Sequence, residues 1–356
     1  MNLFTPLTWN GLTLPSRVFL APINTGFSAN SLPTERLTEF HRLRSGAAIG
    51  LSMVGNVAVH PDAVSNATNC VLVNNSSVAS FSLVAKAIKD NGSAAGIQLA
   101  HATPNIVPTR KWKAESITLE SETLKSTIAN IPLRQLDEHI SRFCKSAALA
   151  CKAGFDVVQI HAAHGYLLSL LLNGDFNPRR DKYSVDGSWL SDFIERLRDA
   201  VPRPKWLSFR INAAYLPDNI DSQSRVAQEL SQKLDRSGVD FIDISAGVYN
   251  IDRNLIYPRS REGDAPPYLS VATRIAKHAS AVVGFAGQAS EFHSYQHLLG
   301  PLTVVSIGRP LIADPSFATK VKDGTLSTIR HCAFKGHCHY FSRGKDFLEC
   351  GVNAEL

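Results

Sequence analysis

The sequence predicts a (β/α)8 barrel, an eight-stranded parallel sheet that closes on itself inside a ring of helices. Short apolar runs alternate with segments of helical period, an order typical of repeated βα units. Several runs are almost continuously apolar, as expected of strands covered on both faces. The length of 356 residues, 44% of them hydrophobic, is sufficient for one such barrel, which takes about 250 residues before insertions.

Eight apolar runs are predicted as the barrel strands. In chain order they are Val18–Ile23, Ile49–Val54, Ala95–Leu99, Asp156–Ile160, Trp206–Ile211, Phe241–Ser245, Val282–Ala286 and Val304–Ile307. The helical period is clearest over Leu136–Ala153, Leu190–Ala200, Ser222–Ser237 and Val271–Ala279. Before the first strand, Asn10-Gly11-Leu12-Thr13 predicts the turn of an N-terminal β-hairpin that closes the bottom of the barrel. The stretch from Thr103 to Arg134 has no clear period and is predicted as a long functional loop or lid.

We expect two parts, a barrel over residues 1–330 and a C-terminal extension over 331–356 that contains cysteine and histidine and packs on the barrel. The net charge is +6, but lysine and arginine are scattered, whereas a nucleic-acid binder clusters them, so we expect no nucleic-acid partner. No apolar run approaches the length of about 20 residues that a membrane span needs, and the N-terminus does not resemble a signal peptide. We therefore expect no membrane association and a cytoplasmic location. The six cysteines do not indicate a disulfide scaffold, and the oligomeric state, including a homo-oligomer, stays open.

The end of the fourth predicted strand carries the most informative residues, His161, His164 and Tyr166. In an α/β barrel, reacting groups gather at the C-terminal ends of the strands. Two imidazoles and a phenol at this place can hold a carbonyl or anionic oxygen and deliver a proton. We identify the three as candidate catalytic residues. The alternative is that they cap the strand and begin the next helix.

This segment resembles the Old Yellow Enzyme family of FMN reductases. In that family the strand ends in His-x-x-His or His-x-x-Asn, and Gly-Tyr-Leu-Leu and Asn-x-Arg-x-Asp-x-Tyr follow. The chain matches this pattern with its spacing intact at His161, His164, Gly165, Tyr166, Asn177, Arg179, Asp181 and Tyr183. The resemblance covers about residues 1–330 and implies a non-covalent FMN cofactor with NAD(P)H as reductant.

A flavin site would need groups for the phosphate and for the ring. Barrels commonly bind phosphate after strands seven and eight, where this chain has Gly287 and Gly308-Arg309. A lone glycine there is usually just a turn, but Ile307-Gly308-Arg309 also resembles the family's Ile-Gly-Arg segment. The resemblance likewise places Ala21-Pro22-Ile23-Asn24 under the flavin ring.

Two polar side chains inside the predicted barrel suit the edge of the flavin ring. The amide of Gln98, at the end of the third strand, can donate to and accept from the pyrimidine edge. Arg210 lies in the fifth strand, and a buried arginine is costly without an anionic partner. Because that strand contains no acidic residue, we favour flavin N1 and O2 as its partner over an internal ion pair, and the family's arginine matches it.

Two positions depart from the family's pattern. Asn24 stands where the family usually has threonine or cysteine at the flavin edge, so the redox potential of the flavin is expected to differ. Asn56 stands where the family normally has a small residue, and it is expected to add a hydrogen bond or to narrow the pocket.

The C-terminal extension contains Cys332, Cys338 and Cys350. Longer relatives that resemble 2,4-dienoyl-CoA reductase bind a [4Fe–4S] cluster through four cysteines in this region. This chain keeps the last interval of their spacing, but His331 and Phe334 fall where the first two cysteines would be. We therefore predict no metal site, with zinc held by these cysteines and nearby histidines as the alternative.

The resemblance implies reduction of the C=C bond of a small α,β-unsaturated carbonyl compound. His161 and His164 would hydrogen-bond the carbonyl oxygen, flavin N5 would give hydride to Cβ, and Tyr166 would protonate Cα. Desaturation or isomerisation in a biosynthetic pathway is one alternative. A tRNA dihydrouridine synthase-like enzyme is another, although it needs a catalytic cysteine on a loop, and the mid-chain cysteines lie in a predicted helix. A third is a barrel that binds a phosphate ligand without catalysis. The sequence does not select the substrate, or NADH over NADPH.

Overall fold

A closed barrel of eight parallel strands forms the centre of the computed structural model, which describes residues 2–102, 117–217, 220–259 and 265–356. The strands are β1 Leu7–Trp9, β2 Leu12–Leu14, β3 Val18–Ile23, β4 Ser28–Ala29, β5 Leu32–Pro33, β6 Leu51–Ala58, β7 Cys70–Val71, β8 Ala94–Ala100, β9 Val157–Ala162, β10 Trp206–Asn212, β11 Phe241–Ser245, β12 Val282–Ala286 and β13 Thr303–Ile307. The barrel consists of β3, β6 and β8 to β13, and it closes where β3 pairs with both β13 and β6. The predicted (β/α)8 barrel is confirmed.

Helices cover the outside of the barrel. They are α1 Glu35–Arg42, α2 Asn75–Asp90, α3 Ile117–Asn130, α4 Leu133–Lys152, α5 Leu167–Leu171, α6 Trp189–Ala200, α7 Ile220–Arg236, α8 Arg253–Ile256, α9 Leu269–Ala276, α10 Phe292–Tyr295, α11 Arg309–Ala313 and α12 Phe317–Lys322. The four helices that we predicted correspond to α4, α6, α7 and α9, with ends that differ by a few residues. In the part of the chain that the structure describes, no helix is long and apolar enough to cross a membrane.

The N-terminal hairpin of β1 and β2 closes the bottom of the barrel, as predicted. Its turn residues Asn10 and Gly11 have φ angles of 42° and 82°, and a two-residue type I′ turn requires positive φ at both positions. Trp206 Nε1 donates to the carbonyl of Trp9 at 3.0 Å, and Asn10 Nδ2 donates to Asp240 Oδ1 at 2.7 Å. The hairpin is thereby fixed to the N-terminal ends of β10 and β11, which leaves the opposite end for a site.

Two boundaries were predicted wrongly. The second barrel strand runs over Leu51–Ala58 and extends past the end that we assigned, because Gly55 and Asn56 interrupt its apolar run. The predicted loop from Thr103 to Arg134 is in part helical, since α3 spans Ile117–Asn130, while residues 103–116 lie outside the described residues. Among the described side chains of α3, Leu124 and Ile128 are buried. A single pair of buried residues four positions apart, surrounded by polar residues, gives only a weak helical period in the sequence.

Candidate active site

All of the predicted site residues line one cavity of about 760 Å³ at the C-terminal ends of the barrel strands. They are Ala21, Pro22, Ile23, Asn24, Asn56, Gln98, His161, His164, Tyr166, Arg210, Gly287, Gly308 and Arg309. The volume falls within the range of roughly 300–1,000 Å³ of pockets that bind cofactors and small molecules. The individual roles of these residues stay predictions.

The end of β9 brings the three candidate catalytic side chains together. His164 and Gly165 adopt left-handed φ angles of 65° and 79°, which turn the chain sharply after the strand. The ring centre of His161 then lies 4.9 Å from that of His164 and 4.7 Å from that of Tyr166. A polar cluster of two imidazoles and a phenol therefore faces a single ligand space.

Both imidazoles are neutral at neutral pH. Burial lowers the pKa of His161 and of His164 well below 6.5, and the nearby Arg210 charge adds to the shift. The backbone N–H of Ala163 donates to Nδ1 of His161 at 3.3 Å, so the proton of that neutral ring is on Nε2. His164 Nε2 lies 2.8 Å from the Ser245 hydroxyl. A neutral N–H donor suits a carbonyl oxygen that gains negative charge.

Tyr166 is buried and protonated. Burial raises its pKa well above 10, although the neighbouring Ser65 and Asn56 side chains act in the opposite direction. Asn56 Nδ2 donates to the phenol oxygen at 3.2 Å, and the ring of Tyr249 stacks on that of Tyr166 at 5.9 Å. The phenol is thus held in place as a potential proton donor.

The internal ion pair of Arg210, which we argued against, is present. Arg210 Nη1 lies 3.3 Å from Asp243 Oδ2. The acidic partner comes from the neighbouring strand, because Arg210 in β10 and Asp243 in β11 are directly paired in register. The arginine's own strand contains no acidic residue, so its sequence alone does not indicate this partner. Arg210 Nε is nevertheless buried without a hydrogen-bond partner, so the guanidinium keeps a donor for a ligand in the cavity.

Asn24 presents a second unused donor. Its Oδ1 accepts from the backbone N–H of Gly26 at 3.1 Å and from the Tyr340 hydroxyl at 2.9 Å. These two donors identify the oxygen end of the amide, so Nδ2 lies on the other side, where it is buried without a partner. Buried orphan donors at Asn24 and Arg210 fit a ligand rich in acceptor atoms.

Gln98 and the two strand-end glycines complete the cavity wall. Gln98 Nε2 donates to Gln159 Oε1 at 2.7 Å, which fixes the orientation of the amide. Gly287 has a φ of 107°, a conformation that favours glycine. At Gly308 an added Cβ would make only ordinary van der Waals contact, with Ile23 Cδ1 as its nearest neighbour at 3.8 Å. Arg309 Nη2 donates to the carbonyl of Pro258 at 2.8 Å. These features fit a phosphate-bearing flavin at the predicted place.

The C-terminal extension contributes to the cavity wall, which the sequence did not indicate. Tyr340, Phe334 and His339 line the cavity, and the Tyr340 hydroxyl reaches Asn24 in β3's flanking loop. The contact joins residues that are 316 positions apart, so no local pattern could reveal it. Leu348 N also donates to the carbonyl of Thr25 at 2.7 Å.

The cysteines of the extension are free thiols. Cys332, Cys338 and Cys350 line a small space of about 60 Å³ beside Arg309, and Cys332 and Cys338 also line the main cavity. Burial raises the pKa of the Cys338 thiol to about 11. Among the described residues, no group of three or more histidine, cysteine, aspartate or glutamate side chains is arranged to hold a metal ion.

Comparison with known proteins places this barrel in a family of flavoenzymes. The sequence model of the NADH:flavin oxidoreductase / NADH oxidase family matches residues 2–327. The chain therefore belongs to this family, whose cofactor is FMN. The membership confirms the predicted class, an FMN-dependent oxidoreductase with a nicotinamide nucleotide as reductant.

Individual relatives agree with this assignment. The chain is 28% identical over 340 residues to an NADPH dehydrogenase of Bacillus subtilis (strain 168), covering 89% of this chain and 93% of that protein. It is 27% identical over 345 residues to an NADH oxidase of Thermoanaerobacter brockii, covering 93% of this chain but only 52% of the relative, so it spans about half of that protein. An old yellow enzyme homologue from Zymomonas mobilis shares the fold, with a TM-score of 0.74, 20% identity and coverage of 94% and 96% of the two chains.

Proposed function

We propose that the protein reduces the C=C bond of small α,β-unsaturated carbonyl compounds at the expense of NAD(P)H. The observation that carries this proposal is the cluster at the end of β9, where two neutral imidazoles and a protonated phenol line one cavity with unused donors for a flavin. NADPH dehydrogenase and NADH oxidase activities of the relatives support the nicotinamide nucleotide as electron source.

We assign the residues that would hold FMN from their positions along the cavity wall and from their unused donors. Gly287, Gly308 and Arg309 would bind the phosphate, and the donors of Arg210 and Asn24 would face the ring. FMN held there would supply the redox chemistry, the transfer of two electrons as hydride from NAD(P)H to the β-carbon of the substrate.

His161 and Tyr166 would then have separate roles toward the substrate. His161, with its proton on Nε2, donates to the carbonyl oxygen, and His164 contributes a second donor when its Nδ1 carries the proton. Tyr166 delivers its phenol proton to the α-carbon. The sum is one hydride and one proton added across the double bond for each NAD(P)H oxidised. Because both imidazoles are neutral, they polarise the carbonyl without competing with Tyr166 as acids.

An anaerobic titration of the purified protein tests this function. We expect flavin absorbance bands that bleach on addition of NADPH or NADH and return on addition of 2-cyclohexenone, with saturated cyclohexanone as the control that restores nothing. Bleaching without recovery would refute reduction of simple enones while leaving the flavin assignment intact. Recovery with cyclohexanone but not with the enone would also contradict the proposal. Formation of an enone from cyclohexanone by the oxidised protein would instead establish desaturation.

A further inference from the structure

Three polar side chains form a chain of hydrogen bonds that ends at the hydroxyl of Tyr166. The catalytic roles proposed above do not explain this chain. Asn56 follows Gly55 in β6, while Ser65 and Asn69 lie between β6 and β7. Ser65 and Asn69 are 5% and 1% exposed, so solvent does not compete for their hydrogen bonds. We call Ser65, Asn69 and Asn56 the amide relay.

The orientation of the Asn69 amide is fixed by its neighbours. Its Oδ1 accepts from the backbone N–H of Ser65 at 2.7 Å, from the Ser65 hydroxyl at 2.6 Å and from the backbone N–H of Asn66 at 3.2 Å. A backbone N–H can only donate, so the atom facing these groups must be the oxygen. Asn69 Nδ2 therefore faces the other way, and it donates to the carbonyl of Asn56 at 2.9 Å and to Asn56 Oδ1 at 3.1 Å.

The hydrogen bonds run in one donor-to-acceptor direction, from Asn69 through Asn56 to the phenol oxygen. Since Asn56 Oδ1 accepts from Asn69, the other end of the same amide, Nδ2, faces Tyr166 and donates to its phenol oxygen at 3.2 Å. The phenol oxygen is thus the acceptor in this bond, and its own hydrogen is not used in it. The Ser65 hydroxyl hydrogen is directed to Asn69 Oδ1, which leaves Asn56 Nδ2 as the side-chain donor to the phenol oxygen.

We propose that Asn69 is a positioning residue for proton transfer from Tyr166. By holding Asn56 as a donor, it leaves the phenol hydrogen free for the α-carbon of the substrate and provides an N–H for the oxygen that loses the proton. In the step, the Tyr166 O–H bond breaks, a C–H bond forms at Cα, and the electron pair left on the phenol oxygen accepts from Asn56 Nδ2. This inference rests on the proposed function for the identity of the proton acceptor.

The substitution Asn69→Asp reverses the relay with almost no change in shape. A carboxylate still accepts from Ser65 and Asn66 but cannot donate to Asn56. We therefore expect the Asn56 amide to flip, because Nδ2 can then donate to the new carboxylate. In the flipped amide, Oδ1 accepts the phenol hydrogen. In Asn69→Ala the Asn56 amide loses the hydrogen bond from Asn69 Nδ2 that fixes its orientation, so it can adopt either orientation. We expect reoxidation of the reduced flavin by 2-cyclohexenone to slow in the order wild type, Asn69→Ala, Asn69→Asp, by about tenfold or more in the last, a fraction of the roughly 10²–10⁴-fold that a general acid contributes.

A double-mutant cycle separates positioning from a merely structural role. If Asn69 acts through the phenol, Asn69→Asp has no further effect in a Tyr166→Phe background. If it slows the Tyr166→Phe protein by the same factor as the wild type, the relay does not act through Tyr166 and the proposal is overturned. Reduction by NADPH, FMN affinity and thermal unfolding are measured for each variant, so that a loss of folding or of flavin is recognised as such.

A spectroscopic measurement tests the relay without turnover. In protein labelled with ¹⁵N-asparagine, the side-chain amide signal of Asn56 is assigned by its loss in Asn56→Ala. We expect Tyr166→Phe to shift this signal when Asn69 is present and to leave it nearly unmoved in Asn69→Asp, where Nδ2 no longer faces the phenol. Equal shifts in both backgrounds would refute the reversed orientation. If 2-cyclohexenone fails to reoxidise even the wild type, the proposed function falls, while this measurement still decides the relay.

Discussion

Removal of one hydroxyl group, in Tyr340→Phe, tests whether the C-terminal extension supports the flavin side of the cavity. The Tyr340 ring is 4% exposed, and its hydroxyl donates to Asn24 Oδ1 at 2.9 Å and lies 3.0 Å from Thr68 Oγ1. Neither partner is left unsatisfied by the change, because Asn24 Oδ1 keeps the N–H of Gly26 and Thr68 keeps Asn66 Oδ1. The expected cost is therefore the net value of about one hydrogen bond, ~1 kcal/mol of unfolding free energy.

The assay is equilibrium unfolding in urea at pH 7 together with FMN titration of the apoprotein. A loss of ~1 kcal/mol transmitted to Asn24 corresponds to an FMN dissociation constant raised by up to about fivefold. Tyr215→Phe is the matched control, since the hydroxyl of the buried Tyr215 donates to the carbonyl of Ser169 at 3.2 Å and its side chain is outside the cavity wall. The control should lose similar stability and bind FMN as the wild type does. Equal FMN affinity in Tyr340→Phe and Tyr215→Phe would refute the link between the extension and the flavin site.

Three further predictions concern single groups. Burial lowers the pKa of His41 to about 3, so the unfolded chain binds its proton below pH 6.5 while the folded protein does not, and stability falls as the pH falls. Between pH 6 and 4, the free energy of unfolding in urea should fall less steeply with falling pH in His41→Gln than in the wild type, by up to about 1.4 kcal/mol per pH unit. Equal slopes for the two proteins would contradict this prediction. Gly287 has a φ of 107°, so Gly287→Ala should lower the free energy of unfolding by about 1–2 kcal/mol and with it the melting temperature. Gly308 has a φ of −116°, so Gly308→Ala should leave the melting temperature almost unchanged. Equal melting temperatures of the two variants would contradict the argument from backbone conformation. Asp243→Asn leaves the Arg210 charge without its partner, so the free energy of unfolding of the apoprotein should fall by about 3 kcal/mol. Addition of FMN should raise the free energy of unfolding more in this variant than in the wild type. An unchanged free energy of unfolding in the apoprotein would show that the ion pair does not stabilise the fold.

The barrel could be predicted from the sequence because its signals are local. Each barrel strand spans five to eight residues and contains an apolar run, and the Asn10-Gly11 turn is a strong hairpin signal by itself. The helix α3 was missed for the same reason, since Leu124 and Ile128 are too few to set a period. Local patterns therefore locate elements well where many buried residues repeat, and poorly where one pair does.

The candidate site was predictable where the parallel strands gather their C-terminal ends at one place. This rule brought His161, Gln98 and Gly308 into one cavity from three distant segments. It does not give partners between strands, so the Arg210–Asp243 pair, which depends on the register of β10 and β11, was missed. The Tyr340–Asn24 contact was missed for a related reason, because only the path of the chain outside the barrel brings the two residues together.

The proton transfer from Tyr166 is the central claim about chemistry, and single-turnover reoxidation tests it most directly. The protein is reduced anaerobically with NADPH, mixed with 2-cyclohexenone, and followed by the return of flavin absorbance in wild type and Tyr166→Phe. Reduction by NADPH, which needs no proton from the phenol, is the internal reference. The account predicts that reoxidation slows by roughly 10²–10⁴-fold in the variant, the usual contribution of a general acid. Reoxidation at the wild-type rate would contradict it and assign the proton to another group.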